Sequence, residues 1–499
     1  MPVDIHDIEQ LVADQGEWRG HCLNLIASET TQSAAVRGIQ NSDFMGRYAE
    51  GHPNTDGATN RYYQGTRYID AVERMAQQEL SELLGARQVD VRPISGNAAN
   101  TAVALGMLRG GDSIIVNSTD AGGHISHAAI GVFGRRIQTR GMTLKADSDK
   151  GIPIHFWPLT ADRYHIDVPA AVALVEQVRP RMVILGKSLF LFPEPVSDLA
   201  AVCRAHDIPL LFDGAHVLGL IAGGAFQQPL AEGATWLTAS VHKTFPGPQR
   251  GIVAANLDPE QEKKYWQPVD RGVFPGSSSN HHLHTLPALV VATREMRAHG
   301  HEYAHATIAN AQAFAKALDE SGVPVEAKEF GYTRSHQVAV NVAGFGGGVE
   351  AAKRLETMNI ICNYNMLPGD ADPKAPSGLR LGVQEMTRFG MGPDAMGAMA
   401  ALFADALRGK DVRESVAVLR DRYQTLGYVL ATSQGEIHYV RQNANPIAAR
   451  CKRLVLDRTV AHHRCRCTKL RCVVSLAACH PRPAIGAARV GASAGGHGD

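Results

Sequence analysis

The chain has 499 residues, 44% of them apolar and 20% charged, enough for a soluble globular protein of two or three domains with a sizeable core. Its 50 Lys and Arg nearly balance 49 Asp and Glu, so overall charge points to neither a nucleic-acid nor a membrane partner. No run of about 18 apolar residues occurs, and the N-terminus MPVDIHDIEQ lacks the regions of a signal peptide, so a cytoplasmic protein is expected.

Residues 1–50 read as an N-terminal arm, with DIHDIEQLVADQ as an amphipathic helix, and residues 51–290 as a large domain. Within it, ISGNAANTAVALGML leaves a strand and starts a helix at Ser95-Gly96-Asn97-Ala98. Small residues with exposed N–H groups at a helix N-terminus can cradle a phosphate, although an ordinary capped helix reads the same way. The runs SIIVN (113–117), MVILG (182–186), PLLFD (209–213) and TWLTA (235–239) alternate with helical patterns. That alternation predicts an α/β fold with a mostly parallel sheet, helices on both faces and ligands at the strands' carboxyl ends.

In LLFDGAHVLGL, Asp213 ends a strand and His216 follows on the turn. The carboxylate can hold a protonated pyridine nitrogen and the imidazole can lie against such a ring, while a helix cap is the plain alternative. In TASVHKTFPGPQRG, His242-Lys243-Thr244 follows the next strand. A lysine amine there can form a Schiff base with a carbonyl cofactor, its pKa lowered by burial. A Lys some 30 positions beyond an Asp that also ends a strand is much more specific than either residue alone.

Residues 291–430 read as a smaller α+β domain: a helix in EYAHATIANAQAFAKALDES, a strand QVAVNV, a helix GVEAAKRLETM, a strand GLRLGV and a closing helix over 391–409. Cys22, Cys203 and Cys362 are the sole cysteines before residue 440, which predicts free thiols in a reducing compartment. Residues 431–499 are foreign in composition: from Arg441 onward 11 Lys or Arg stand against 2 Asp or Glu, without helical or strand periodicity, which predicts disorder. Cys465, Cys467, Cys472 and His480 lack the paired C-x₂₋₄-C units of a zinc site, so no metal is expected.

Nine stretches occur in matching order: LIASET (25–30), RYAEGHP (47–53), NRYYQGTRYID (60–70), SGNAANTA (95–102), GGHISH (122–127), DGAHVLGL (213–220), SVHKTFPGP (240–248), VFPGSSSN (273–280) and SGLRLGVQEMTRFGM (377–391). Over roughly residues 5–430 the chain thereby resembles the serine hydroxymethyltransferase family of fold-type I pyridoxal-phosphate (PLP) enzymes. The resemblance implies that Lys243 would hold PLP as a Schiff base, that Asp213 would pair with its pyridine nitrogen, and that His124 would stack on its ring with His127 near the same face. His216 would contact the phenolic oxygen or the substrate. Ser95, Gly96 and Asn97 would cradle the phosphate, with Asn97 where the family usually has Ser. Ser240 and His242 would add cofactor contacts, Ser188 a further hydroxyl, and Gly276 a contact from a partner subunit.

By the same resemblance, Arg380 would clamp a substrate carboxylate bidentately with help from Ser28. Tyr48 and Glu50 would reach into the neighbouring subunit's site, Tyr62 and Tyr63 would contact substrate, and Asn365 would lie near a folate. Sites shared in this way imply a homodimer, which can pair further into a tetramer. The implied reaction is retro-aldol cleavage of the Cα–Cβ bond of serine or 2-methylserine to glycine or D-alanine, with tetrahydrofolate as co-substrate taking the one-carbon unit. Departures from common bacterial serine enzymes are Tyr364 in place of a Lys, Gln249 in place of an Arg, and altered GKSLFLFPEPV and FPGSSSNHHLHT segments. They resemble the archaeal-type and specialised branches, among them folate-independent threonine and fluorothreonine transaldolases, the alternative activity together with threonine aldolase.

Overall fold

The four apolar runs become strands of a seven-stranded sheet in the computed structural model, which describes residues 5–55, 60–129, 131–135 and 152–431; the strands Ile154–Phe156 and Gly251–Ala255 were not read from the sequence. The seven are β1 (Gln88–Asp90), β2 (Ile114–Val116), β3 (Ile154–Phe156), β4 (Met182–Leu185), β5 (Leu210–Asp213), β6 (Trp236–Ser240) and β7 (Gly251–Ala255), in the spatial order β1-β7-β6-β5-β4-β2-β3. Strands β6, β5, β4, β2 and β3 are parallel, and β7 is antiparallel to both of its neighbours.

The period of two within each run sorts its side chains into two cores. Val183, Leu185, Phe212, Leu237 and Ile252 pack on one face with Ile69, Leu80 and Leu289. Their neighbours Met182, Ile184, Leu211, Trp236 and Val253 pack on the other face with Ala99, Val103 and Val269. A sheet covered on both sides needs continuous rather than alternating apolar runs, which is how these strands read in the sequence.

A second, antiparallel sheet has the order β9-β10-β8, from β8 (Gln337–Asn341), β9 (Asn363–Asn365) and β10 (Gly378–Gly382). Its register sets Arg380 opposite Asn363 on one side and Ala339 on the other. Val338, Val340, Leu379 and Leu381 enter a separate core with Phe314, Leu318 and Phe403. The helix Thr285–Glu320 starts well before the stretch predicted for it and joins both cores, with Leu286, Leu289 and Met296 in the first and Phe314 and Leu318 in the second. The boundary drawn at 290/291 therefore falls inside a continuous helix, because one uninterrupted 3.6-residue pattern serves two cores in succession.

The N-terminal arm forms the helix Ile5–Gly20, which leaves Ile8, Leu11 and Val12 exposed. Residues Leu23–Asn24 then pair in parallel with Ile360–Ile361, and Gly382 N donates to Leu25 O at 2.8 Å. A Cβ at Gly382 would stand 2.5 Å from Ala27 Cα, so glycine permits the approach that brings Ser28 toward β10. Cys22, Cys203 and Cys362 are free thiols. Among the described residues no helix is long and apolar enough to cross a membrane. The compositionally foreign tail, with the reading of Cys465, Cys467, Cys472 and His480, lies outside the described residues.

Candidate active site

Three neighbouring parallel strands deliver chemistry at their carboxyl ends: Ser188 follows β4, Asp213 ends β5, and Ser240, His242 and Lys243 end or follow β6. Asp213 is buried. Its Oδ2 accepts from Asn100 Nδ2 at 2.8 Å and lies 3.1 Å from His127 Nε2, and its Oδ1 accepts from the Ala215 N–H at 3.1 Å. Thr238 Oγ1 donates to Asn100 Oδ1 at 2.7 Å, which turns the amide so that its NH₂ faces the carboxylate. Burial by itself would raise the Asp213 pKa, but the hydrogen bonds from His127 and Asn100 and the electrostatic influence of the neighbouring imidazoles outweigh it and hold the group well below the usual carboxylate range. The helix-cap alternative accounts for the Ala215 bond alone.

Lys243 is half-buried, and its Nζ makes no hydrogen bond or ion pair with a described residue. Burial lowers its pKa to about 8, with Asp213 opposing and Arg380 adding to the drop. Next to it, Thr244 Oγ1 donates to His216 O at 2.8 Å and accepts from the Gly219 N–H at 3.0 Å, locking the lysine loop onto the His216 turn. His124 Nδ1 sits 2.7 Å from Ser126 Oγ, and burial brings the His124 pKa to about 4, so the ring is neutral. His242 Nδ1 is 3.3 Å from both the N and O of Arg250, and burial brings it to about 4 as well.

Helix Gly96–Met107 is capped by Ser95, whose Oγ accepts from Ala98 N at 3.1 Å. The N–H groups of Gly96 and Asn97 in its first turn have no acceptor among the described residues. A Cβ on Gly96 would stand 2.5 Å from Ser240 Oγ, so glycine keeps a pocket open between the helix end and β6.

Arg380 is buried on β10, and no carboxylate among the described residues pairs with it. Nη1 donates to Ser188 Oγ at 2.6 Å and to Ser188 O at 3.0 Å, Nη2 reaches Asn363 Oδ1 at 3.4 Å, and Nε has no partner. Burial lowers its pKa to about 10. Ser28, half-buried, lines a neighbouring cavity of about 350 Å³ with His242 and Gln249.

The expected residues thus fall into two groups. Asp213, Lys243, His124, His216 and Arg380 lie close enough to act electrostatically on one another, His127 is bonded to Asp213 and Ser188 to Arg380, and Ser240 borders the Ser95–Asn97 turn at Gly96. The Ser188 hydroxyl, expected on the cofactor, is engaged by Arg380, which also reaches Asn363; Asn365, expected near a folate, donates from Nδ2 to Met366 O at 2.6 Å. Tyr48 and Tyr63 lie with ring centroids 5.2 Å apart at the surface, beside exposed Tyr62, and with Glu50 share no hydrogen bond or ring contact with Asp213, Lys243 or Arg380. Gly276 is exposed next to Leu105, at the opposite end of the helix that Gly96 starts. Sequence reasoning missed Asn100, Asn363 and Gln337, since a lone amide in a helix or strand has no spacing signature; the sole signal was a polar residue where the pattern called for burial.

Residues 3–403 match the family model described as serine hydroxymethyltransferase. The chain belongs to the serine hydroxymethyltransferase family. Two relatives carrying that name are those of Pyrobaculum neutrophilum, 43% identical over 450 residues (89% of this chain, 99% of the relative), and Methanopyrus kandleri, 42% identical over 444 residues (88% and 98%). Among solved structures, the L-threonine transaldolase from Pseudomonas fluorescens in its internal aldimine state is similar with a TM-score of 0.74 and 27% identity, over 85% of this chain and 92% of that one. The fold is accordingly that of fold-type I PLP enzymes, and the protein is a PLP-dependent transferase of this family.

The residues fit PLP: an ionised carboxylate for a ring nitrogen and, without partners among the described residues, a lysine amine and helix N–H groups beside a glycine for a phosphate. The neutral amine is the reactive form, so enzyme stripped of cofactor is expected to take up PLP at a rate that climbs about tenfold per pH unit below about 8 and levels off above it. Stopped-flow absorbance checks this, and a rate that fell with rising pH would contradict it. Gly96→Ala is expected to weaken PLP binding by roughly 1–3 kcal/mol through the clash with Ser240, with far-UV dichroism unchanged.

Proposed function

We propose that the protein interconverts serine and glycine by breaking and making the Cα–Cβ bond, with tetrahydrofolate carrying the one-carbon unit. The observation that carries the reading is Arg380, a buried guanidinium without a carboxylate of its own among the described residues, close enough to Lys243 to act on it electrostatically, as Asp213 also is. A buried cation left unpaired is costly, and an amino-acid substrate supplies the missing carboxylate.

PLP, when bound, supplies an electron-withdrawing ring conjugated to the substrate Cα. Asp213 would keep a proton on the ring nitrogen, Lys243 would anchor the carbonyl carbon, and neutral His124 would be the imidazole beside the cofactor. Ser95, Gly96, Asn97 and Ser240 hold the phosphate. Arg380, with Ser28, would hold the substrate carboxylate and so orient the bonds at Cα toward the cofactor. Glu50 and Tyr48 of a partner subunit would handle the hydroxyl proton of the substrate, with Tyr62, Tyr63 and Gly276 also presented outward; their exposure, and that of Ile8, Leu11 and Val12, supports a homodimer with shared sites. A cytoplasmic setting accords with the three free thiols.

Sharing is tested by complementation: Glu50→Gln and Lys243→Ala dimers are each expected to be inactive, and mixed dimers to regain activity at the site that draws both intact residues. A folate-independent transaldolase is the second reading, favoured by the similarity to the Pseudomonas fluorescens transaldolase and by exposed Tyr364 where a Lys was expected. Serine, 2-methylserine and threonine, each with and without tetrahydrofolate, separate the two. Folate-dependent serine cleavage is expected; preferential turnover of threonine with a supplied aldehyde and no folate would overturn the proposal.

A further inference from the structure

Gln337 opens β8, is fully buried, and has no part in the roles above. Its amide has a determined orientation: the oxygen accepts from the Phe190 N–H at 2.8 Å, and the nitrogen lies 3.1 Å from the Ser188 carbonyl oxygen. A half-turn of the amide would set oxygen against oxygen and N–H against N–H, losing both bonds in a buried place. The remaining amide hydrogen is directed at His216 Nδ1, 3.1 Å away. A donor in that position requires a lone pair on Nδ1.

We propose that Gln337 is a positioning residue that fixes His216 as the Nε2–H tautomer, so that His216 offers the cleft a neutral hydrogen-bond donor and not a proton acceptor. Three observations stand with this. Burial, then the charges of Lys243 and Arg380, drive the His216 pKa well below its ordinary value, so the ring takes no second proton. His336 stacks on His216 at 6.1 Å and 17°, and its own Nε2 meets Ala27 O at 3.1 Å; it is a donor there and does not compete for the Gln337 hydrogen, despite lying 3.4 Å from Gln337 Nε2. His216 Nε2 has no hydrogen bond to a described residue, which leaves its hydrogen for a bound cofactor or substrate.

One carbonyl, that of Ser188, accepts from both Gln337 Nε2 at 3.1 Å and Arg380 Nη1 at 3.0 Å, so the His216 tautomer and the carboxylate clamp are anchored at the same atom. A fixed donor suits an anionic or hydroxyl oxygen, and a resting role as general base is excluded for His216. The inference rests on the PLP reading only for what that donor faces.

The test is ring ¹⁵N NMR of the histidine-labelled holoenzyme, with the His216 signals assigned by their loss in His216→Asn. A pyridine-type Nδ1 and a pyrrole-type Nε2, unmoved by mild acidification, are expected. Gln337→Glu replaces the donor with an acceptor; in it Nδ1 is expected to gain a proton, the pH at which the cofactor absorbance changes to shift, and kcat to fall about tenfold or more with little change in KM. A pyrrole-type Nδ1 in the unmutated enzyme would overturn the proposal, and that spectrum decides the matter even if Gln337→Glu does not fold. Because the readout is the place of a proton and not turnover, an error about the substrate would leave it standing and would show separately in the product analysis.

Discussion

Replacing Lys243 with alanine is expected to abolish borohydride-stable attachment of PLP and to lower kcat by on the order of 10²–10⁴, while the cofactor still binds non-covalently. The reasoning starts from the strand. β6 is buried at every residue, so the chain leaving it brings Lys243 out at the carboxyl edge of the sheet, where burial leaves the amine with a pKa of about 8 and an appreciable neutral fraction near neutral pH. Asp213 and the Gly96–Asn97 turn do not depend on that side chain, so retention of cofactor is expected in dialysed protein. Peptide mapping after borohydride reduction is the measurement, and a label on any other peptide would sink the assignment.

Arg380→Ala is expected to act in opposite directions on stability and on catalysis. Removing a buried cation that lacks a carboxylate partner among the described residues relieves a desolvation cost, so the Tm of the substrate-free enzyme should hold or rise. The substrate carboxylate loses its bidentate partner at the same time, and kcat/KM should fall by about 2–5 kcal/mol, roughly thirty- to several-thousand-fold. Arg380→Lys should recover little, because a single ammonium cannot hold Ser188 and a carboxylate with one planar fork. Thermal melts alongside kinetics decide it: a lower Tm with unchanged KM would make Arg380 a structural residue.

The family and the main elements were legible from residue patterns, because the runs MVIL, LLFD and WLTAS are buried on both faces and carry their polar residues directly behind them. The division near residue 290 was not readable as drawn, since helix Thr285–Glu320 crosses it and a helix that meets two cores in turn looks in sequence like a single amphipathic element. Roles tied to distinctive chemistry, such as Lys243 and Asp213, stood out, whereas amides did not. Asn363 faces Arg380 from the neighbouring strand, and nothing in its spacing from Asn365 signals that contact.

By itself, then, the sequence determined the four central strands of the large sheet, the family, and which titratable residues lie at strand ends, because hydrophobic periodicity and local turn chemistry are written into neighbouring positions. Tertiary structure alone decided that Ser188 serves Arg380, that Asn100 and His127 hold Asp213 ionised, and that Gln337 meets His216. Those pairs are separated by 192, 113, 86 and 121 positions. Hydrogen-bond direction and desolvation exist only once the sheets and the N-terminal arm have packed, so no local pattern encodes them.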